Sequence, residues 1–72
     1  MRRAAEIMFG ADTSRARCVI WDISDGGARL AVALPLADLP PTFTLLLSKD
    51  ASIQRNCVVV WIDTRYVGVK FT

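Results

Sequence analysis

The stretch Asp22-Ile23-Ser24-Asp25-Gly26-Gly27 separates two apolar, β-prone runs of this 72-residue chain. The first run ends at Trp21 and the second begins at Ala28. Two consecutive glycines can supply positive φ, and the short side chains of Asp22 and Ser24 can bond nearby backbone N–H groups or a ligand. The stretch therefore predicts a hairpin turn whose polar residues either satisfy their own loop or face a ligand.

Short runs of alternating apolar and polar residues continue on both sides of this turn. They predict six strands and little or no helix, because no segment places apolar residues at helical spacing between caps. The predicted strands are 6–9, 15–23, 28–33, 42–47, 52–62 and 66–71. Closing such a sheet removes its exposed edges, so we expect one all-β domain, residues 1–72, built as a six-stranded antiparallel barrel.

The same alternation predicts which side chains point into the barrel. We expect a core that contains Ile20, Leu30, Leu45, Val59, Val69 and Phe71. Trp61 keeps phase with Cys57 and Val59, which also places Trp61 in the core. The alternation slips near Trp21, which predicts a β-bulge there and puts this side chain at a barrel end or in solvent.

The charge balance limits the classes of partner. Nine basic and seven acidic residues give a net charge of +2, too small a bias for a protein that wraps DNA or RNA but compatible with a small, doubly charged anion. Arg15, Arg17 and Arg29 are expected on outward faces, where they aid solubility. No apolar stretch has the length of a membrane span, and no signal-peptide region follows the basic start. We therefore expect a cytoplasmic protein without a membrane span.

Catalytic residues are not recognisable in the chain. It has no histidine, so the usual general base is missing, and a turn accounts for both Asp22 and Asp25. The two cysteines, Cys18 and Cys57, are too few for a zinc site or a disulfide framework. Because they lie in apolar runs, we expect buried free thiols; a bridge would require the two strands to face each other closely. The sequence predicts a binding protein with no metal or cofactor, and not an enzyme.

The spacing Asp-x-Ser-x-x-Gly, on Asp22, Ser24 and Gly27, resembles a signature of PilZ domains. Three more segments are similar to that family in the same order: Ala28-Arg29-Leu30, Val59-Val60-Trp61 and Val67-Gly68-Val69-Lys70-Phe71. The resemblance covers most of the chain and rests on the order and separation of these motifs. PilZ domains are small β-barrels, and many are bacterial receptors for cyclic di-GMP, so the resemblance implies a signalling role.

The resemblance also implies where such a ligand would bind. In the family, an Arg-x-x-x-Arg motif before the first strand holds cyclic di-GMP from one side, and the Asp-x-Ser-x-x-Gly residues meet it from the other. This chain has no Arg-x-x-x-Arg, but Arg2 and Arg3 lie in the corresponding region. We expect Arg2 and Arg3 to contact phosphate and guanine, and Asp22, Ser24 and Gly27 to form the ligand-facing turn, with weakened binding.

Two functions remain open on the sequence alone. One is a cyclic di-GMP receptor or adaptor that passes the signal to a protein effector. The other is a degenerate domain that binds no nucleotide and acts through protein contact, with Trp21, Val58 or Val60 in the interface. The incomplete arginine motif, whose Arg2 and Arg3 could be ordinary solvated charges, favours the second. The intact Asp-x-Ser-x-x-Gly pattern favours the first, on the argument that a scaffold would not need it.

Overall fold

The protein is an all-β barrel of six antiparallel strands, in a computed structural model that describes residues 2–50 and 52–72. The strands are β1 (Arg3–Phe9), β2 (Ser14–Ile23), β3 (Gly27–Val32), β4 (Thr42–Leu46), β5 (Gln54–Ile62) and β6 (Val67–Phe71). A single 3-10 turn, Leu36–Asp38, is the helical element in the described part of the chain. The predicted fold class is confirmed.

The strands follow the order β1-β2-β3-β6-β5-β4 around the barrel, and β4 pairs with β1 to close it. Four connections are hairpins between neighbours, whereas β3 and β4 lie on opposite sides of the ring. The proline-containing segment 33–41 makes that crossing. Its Leu36 and Leu39 pack against the core and cover part of the barrel interior.

The barrel core is formed by the inward-facing residues of all six strands. Its buried members are Ile7, Cys18, Ile20, Leu30, Phe43, Leu45, Cys57, Val67 and Val69. Four of the six predicted core residues are in this set, and the other two, Val59 and Phe71, are half-buried against it. Alternation therefore placed those four residues correctly, and Val59 and Phe71 lie at the edge of the core.

Both cysteines are free thiols inside this core, as the sequence predicts. Burial raises the pKa of the Cys18 thiol to about 12 and that of the Cys57 thiol to about 11, because the thiolate would lose its hydration. Both groups therefore remain neutral at physiological pH and behave as small apolar side chains.

A β-bulge in β2 changes which side chains face out. Ile20 pairs with Leu30, but the next paired residue of β2 is Asp22, which lies opposite Arg29. Trp21 is the extra residue, so the predicted bulge is confirmed. The bulge puts Trp21 and Asp22 together on the outer surface of the barrel.

A second bulge, in β5, overturns the prediction for Trp61. Val59 pairs with Val69, and the next pair is Trp61 with Gly68, which leaves Val60 as the extra residue. Because a one-residue slip moves every later side chain to the other face, Trp61 points outward instead of into the core. It is 45% exposed and lies across Gly68. Its placement in the core was wrong.

The first strand begins earlier than predicted. It starts at Arg3, and Arg3–Phe9 pairs along its whole length with β2. Arg3 is therefore part of the barrel wall. In the described residues, no helix is both long and apolar enough to cross a membrane.

Candidate functional site

Four side chains form a continuous row on the outer surface beside the β2–β3 turn. The guanidinium carbon of Arg2 lies 4.0 Å from the centre of the Trp21 ring. The Trp21 and Tyr66 rings meet edge to face, with centroids 5.2 Å apart and planes at 69°. The guanidinium carbon of Arg29 lies 5.0 Å from the centre of the Tyr66 ring. We call Arg2, Trp21, Tyr66 and Arg29 the arginine–aromatic row.

Asp22 fixes the far end of this row. Its carboxylate lies 2.5 Å from Nη2 of Arg29, the residue directly opposite on β3. Both side chains remain substantially exposed, so this ion pair contributes little to stability. Its effect is to orient the guanidinium. The Nε of Arg29 is buried and has no hydrogen-bond partner among the described residues, so one N–H of this arginine is unsatisfied.

The β5–β6 turn holds Tyr66 in the row. The Asp63 carboxylate accepts hydrogen bonds from the backbone N–H of Tyr66 at 2.6 Å and of Arg65 at 2.8 Å. The Asp63 N–H donates to the Tyr66 carbonyl at 3.0 Å. These bonds to the charged form hold the pKa of Asp63 below its usual range, with a smaller contribution from nearby Arg29 and Arg65. The conformation of the turn is therefore stabilised by the ionised form of Asp63.

Ser24 and Gly27 have structural roles in the β2–β3 turn. The Ser24 N–H donates to the Gly27 carbonyl at 2.8 Å, and its hydroxyl lies 3.4 Å from the same oxygen. Neither turn glycine has a positive φ, contrary to the prediction; among the described glycines only Gly10 does. A Cβ at Gly27 would lie 2.2 Å from the Val69 carbonyl oxygen, so the close approach of β6 requires glycine. The fold itself therefore uses this motif, which a scaffold was expected not to need.

The structure brings some of the predicted site residues together and separates one. Arg2 is one end of the arginine–aromatic row, Asp22 pairs with Arg29 at the other end, and Ser24 and Gly27 form the adjacent turn. Arg3 lies on the other side of the β1 end, where its Nη2 donates to the Leu47 carbonyl. The two neighbouring arginines thus point to different surfaces, as alternation along a strand requires.

Sequence reasoning missed two residues of the row. The sequence predicts only a solubility role for Arg29, and it places Tyr66 in the last strand without a role at the site. Arg29 does face outward, but the bulge at Trp21 brings it opposite Asp22, a pairing that the position of the bulge could have revealed. Tyr66 has no comparable sequence signal, because its contact with Trp21 depends on how the β5–β6 turn lies beside β3.

This surface can bind an anion that also carries flat rings. Guanidinium groups donate in pairs to phosphate oxygens or to the O6/N7 edge of guanine. Trp21 and Tyr66 add ring surfaces on which a base can stack. No group of three or more potential metal ligands occurs among the residues that the structure describes.

The model of the PilZ domain family matches residues 1–72, the whole chain. The chain therefore belongs to the PilZ family, whose members are generally non-enzymatic domains that bind cyclic di-GMP. Searches of curated proteins and of solved structures gave no match.

Proposed function

We propose that this domain is a cytoplasmic, non-enzymatic receptor or adaptor for cyclic di-GMP in bacterial signalling. Family membership supports the ligand, and the arginine–aromatic row supports the location. The single observation that carries the proposal is Arg2 stacked on Trp21 beside the β2–β3 turn. It places a charged fork and a ring surface within 4.0 Å of each other.

Each residue of the proposed site has a distinct role. Arg2 meets a phosphate or a guanine edge while it remains against Trp21. Asp22 orients Arg29, whose side chain is 41% exposed and could present its guanidinium to a phosphate or a guanine edge. The exposed Ser24 offers its hydroxyl, and Gly27 keeps the turn close to β6.

Arg3 is proposed as the second arginine, by analogy with the pair that the family uses. It would have to release the Leu47 carbonyl and turn around the end of β1. That rearrangement has a cost, so we expect weaker binding than a complete Arg-x-x-x-Arg gives. One charge-assisted bond contributes about 1.5–3 kcal/mol, and its loss lowers affinity roughly ten- to a hundredfold.

Calorimetric titration with cyclic di-GMP tests the proposal. We expect detectable binding that weakens as salt rises, with amide shift changes at residues 22–27 and at Trp21 and Tyr66. The double change Arg2→Ala, Arg3→Ala should abolish it. Arg15→Ala, which removes an exposed arginine near the far end of β2, where it pairs with Glu6, is the matched control and should bind normally. Tight binding that survives loss of Arg2 and Arg3 would show that the site lies elsewhere.

A second function, binding of a protein through the exposed end of β5, has its own supporting observation. Val60, Trp61 and Ile62 are consecutive and are 57%, 45% and 48% exposed. Consecutive exposed apolar residues of this size often mark an interaction surface. A photo-crosslinking side chain at Val60 should then capture a partner in cells that the same side chain at exposed Arg15, on the opposite side of the barrel in β2, does not. Capture without any response to cyclic di-GMP would favour this function over the receptor.

A further inference from the structure

The first strand has one partly open side. All of Arg3–Phe9 pairs with β2, but on its other side β4 pairs only with Glu6, Ile7 and Met8. The register of β4 against β1 ends at Leu46, opposite Glu6, and the chain then enters the β4–β5 turn. Backbone groups alternate between the two sides of a strand, so at least one residue of 3–5 presents its N–H and C=O to this open side.

A recess of about 670 Å³ adjoins the open side. Its walls are the first residues of β1, the neighbouring part of β2, and the segment 46–49. Ala4, Ala5, Val19, Leu46 and Leu47 give it an apolar lining. Its volume is within the range of ligand-binding clefts. We call it the β1 recess.

The charges around the β1 recess are mainly positive. Three basic residues, Arg3, Arg17 and Lys49, line it together with one acidic residue, Glu6. Glu6 lies 3.7 Å from Arg15, which offsets its charge. The Arg3 guanidinium donates to the Leu47 carbonyl in this recess. A strand placed there would replace this carbonyl as the acceptor for Arg3. An occupant therefore gains from being acidic.

We propose that the β1 recess binds an extended acidic peptide segment of a partner protein, which adds a short strand to the open side of β1. Main-chain hydrogen bonds would supply affinity, and alternate side chains would supply specificity. Acidic side chains would pair with Arg17, Lys49 and the released Arg3. Apolar side chains between them would lie on Ala4 and Leu47.

Backbone geometry favours a peptide over a nucleotide or a nucleic-acid strand. An open strand side offers N–H and C=O groups in alternation, and only another peptide backbone matches both. The recess also has no Trp, Tyr or Phe among its lining residues, so it lacks the ring surfaces on which bases stack. The recess lies outside the arginine–aromatic row and shares only Arg3 with the proposed receptor site, so its test uses variants at Arg17 and Lys49.

The test uses a model peptide of about six residues, a usual strand length, that alternates glutamate and valine. Its lysine–valine counterpart is the control peptide. We expect the acidic peptide alone to shift the amide signals of Ala4, Ala5 and Leu47. The double change Arg17→Glu, Lys49→Glu should weaken binding by about tenfold or more, since two exposed ion pairs become repulsive. The charge-matched control Arg65→Glu, Lys70→Glu, with both sites outside the recess, should bind like the wild type.

Methylation of the peptide backbone separates strand addition from simple charge attraction. Two versions are made, each methylated on one alternate set of backbone nitrogens. Only the set that faces β1 should abolish binding. Equal binding of both versions would overturn the proposal, as would shift changes outside the recess or tighter binding of a single-stranded oligothymidine there. Cyclic di-GMP titration of the Arg17, Lys49 variant should be unchanged, which keeps this result separate from the receptor proposal.

Discussion

The indole of Trp61 lies directly over Gly68, the residue opposite it on β6. A Cβ at Gly68 would come within 2.1 Å of the indole, so the ring occupies the space that a side chain would need. Aromatic cover of a glycine in a neighbouring strand compensates for the packing that glycine lacks. This contact explains why Gly68 is buried although it faces outward.

We expect Gly68→Ala to push Trp61 into solvent and to lower the free energy of unfolding by about 1–2 kcal/mol, through the apolar area that is lost. Tryptophan fluorescence should shift to the red as the barrel remains folded. In a Trp61→Ala background the same change should cost nothing, or stabilise through better strand propensity. An equal cost in both backgrounds would show that the indole is not the obstacle.

Gly27→Ala should destabilise the barrel much more than Gly26→Ala. A Cβ at Gly27 would meet the backbone oxygen of Val69 at 2.2 Å, whereas one at Gly26 would meet nothing within 4 Å. Backbone displaced by overpacking costs about 1–3 kcal/mol, or roughly 4–8 °C in melting temperature per kcal/mol. Thermal denaturation of the two variants checks this. Similar melting temperatures would mean that β6 does not approach the turn as described.

Asp22→Asn should show whether Asp22 orients Arg29 for binding or only stabilises the fold. The ion pair with Arg29 is exposed, so we expect the unfolding free energy to change by less than about 1 kcal/mol. If the receptor proposal is correct, cyclic di-GMP affinity should nevertheless fall, because Arg29 loses its orienting partner. Asp25→Asn removes the same charge from the same turn and should leave affinity near that of the wild type. Equal losses in the two variants would indicate a general charge effect.

The β5–β6 turn should give the domain an acid-sensitive component. Since folding lowers the pKa of Asp63, its contribution to stability is present above the unfolded value near pH 4 and is lost as pH falls through the folded pKa. Asp63→Asn keeps an acceptor oxygen but cannot titrate. We expect its melting temperature to fall less than that of the wild type between about pH 7 and pH 2. Parallel declines would exclude Asp63 as the source.

The sequence predicted the fold and most of the core because alternation with period two is a local property. The alternation within each strand correctly predicts the burial of four residues: Ile20, Leu30, Leu45 and Val69. The prediction for Trp61 was wrong because it continued the alternation from Cys57 through the bulge at Val60. A bulge depends on the partner strand, which a single run of residues does not record.

The candidate site was only partly predictable for the same reason. Asp22, Ser24 and Gly27 are consecutive parts of one turn, so their spacing identified them. Tyr66 joins them through packing between distant segments, and Arg2 and Arg3 separate because adjacent strand residues point to opposite sides. The sequence predicted which residue types were near the turn, but not which of them share a surface.

The closure of the barrel between β1 and β4 is short, with three residue pairs among the described residues. Every other seam joins at least four pairs. The pairing between β1 and β4 should therefore open first in native fluctuations. Its amide protons should exchange with solvent sooner than those between β1 and β2. When this pairing opens, the closed barrel becomes an open sheet with β1 and β4 as its edge strands. In that form such a domain would exchange strands with a second copy or aggregate.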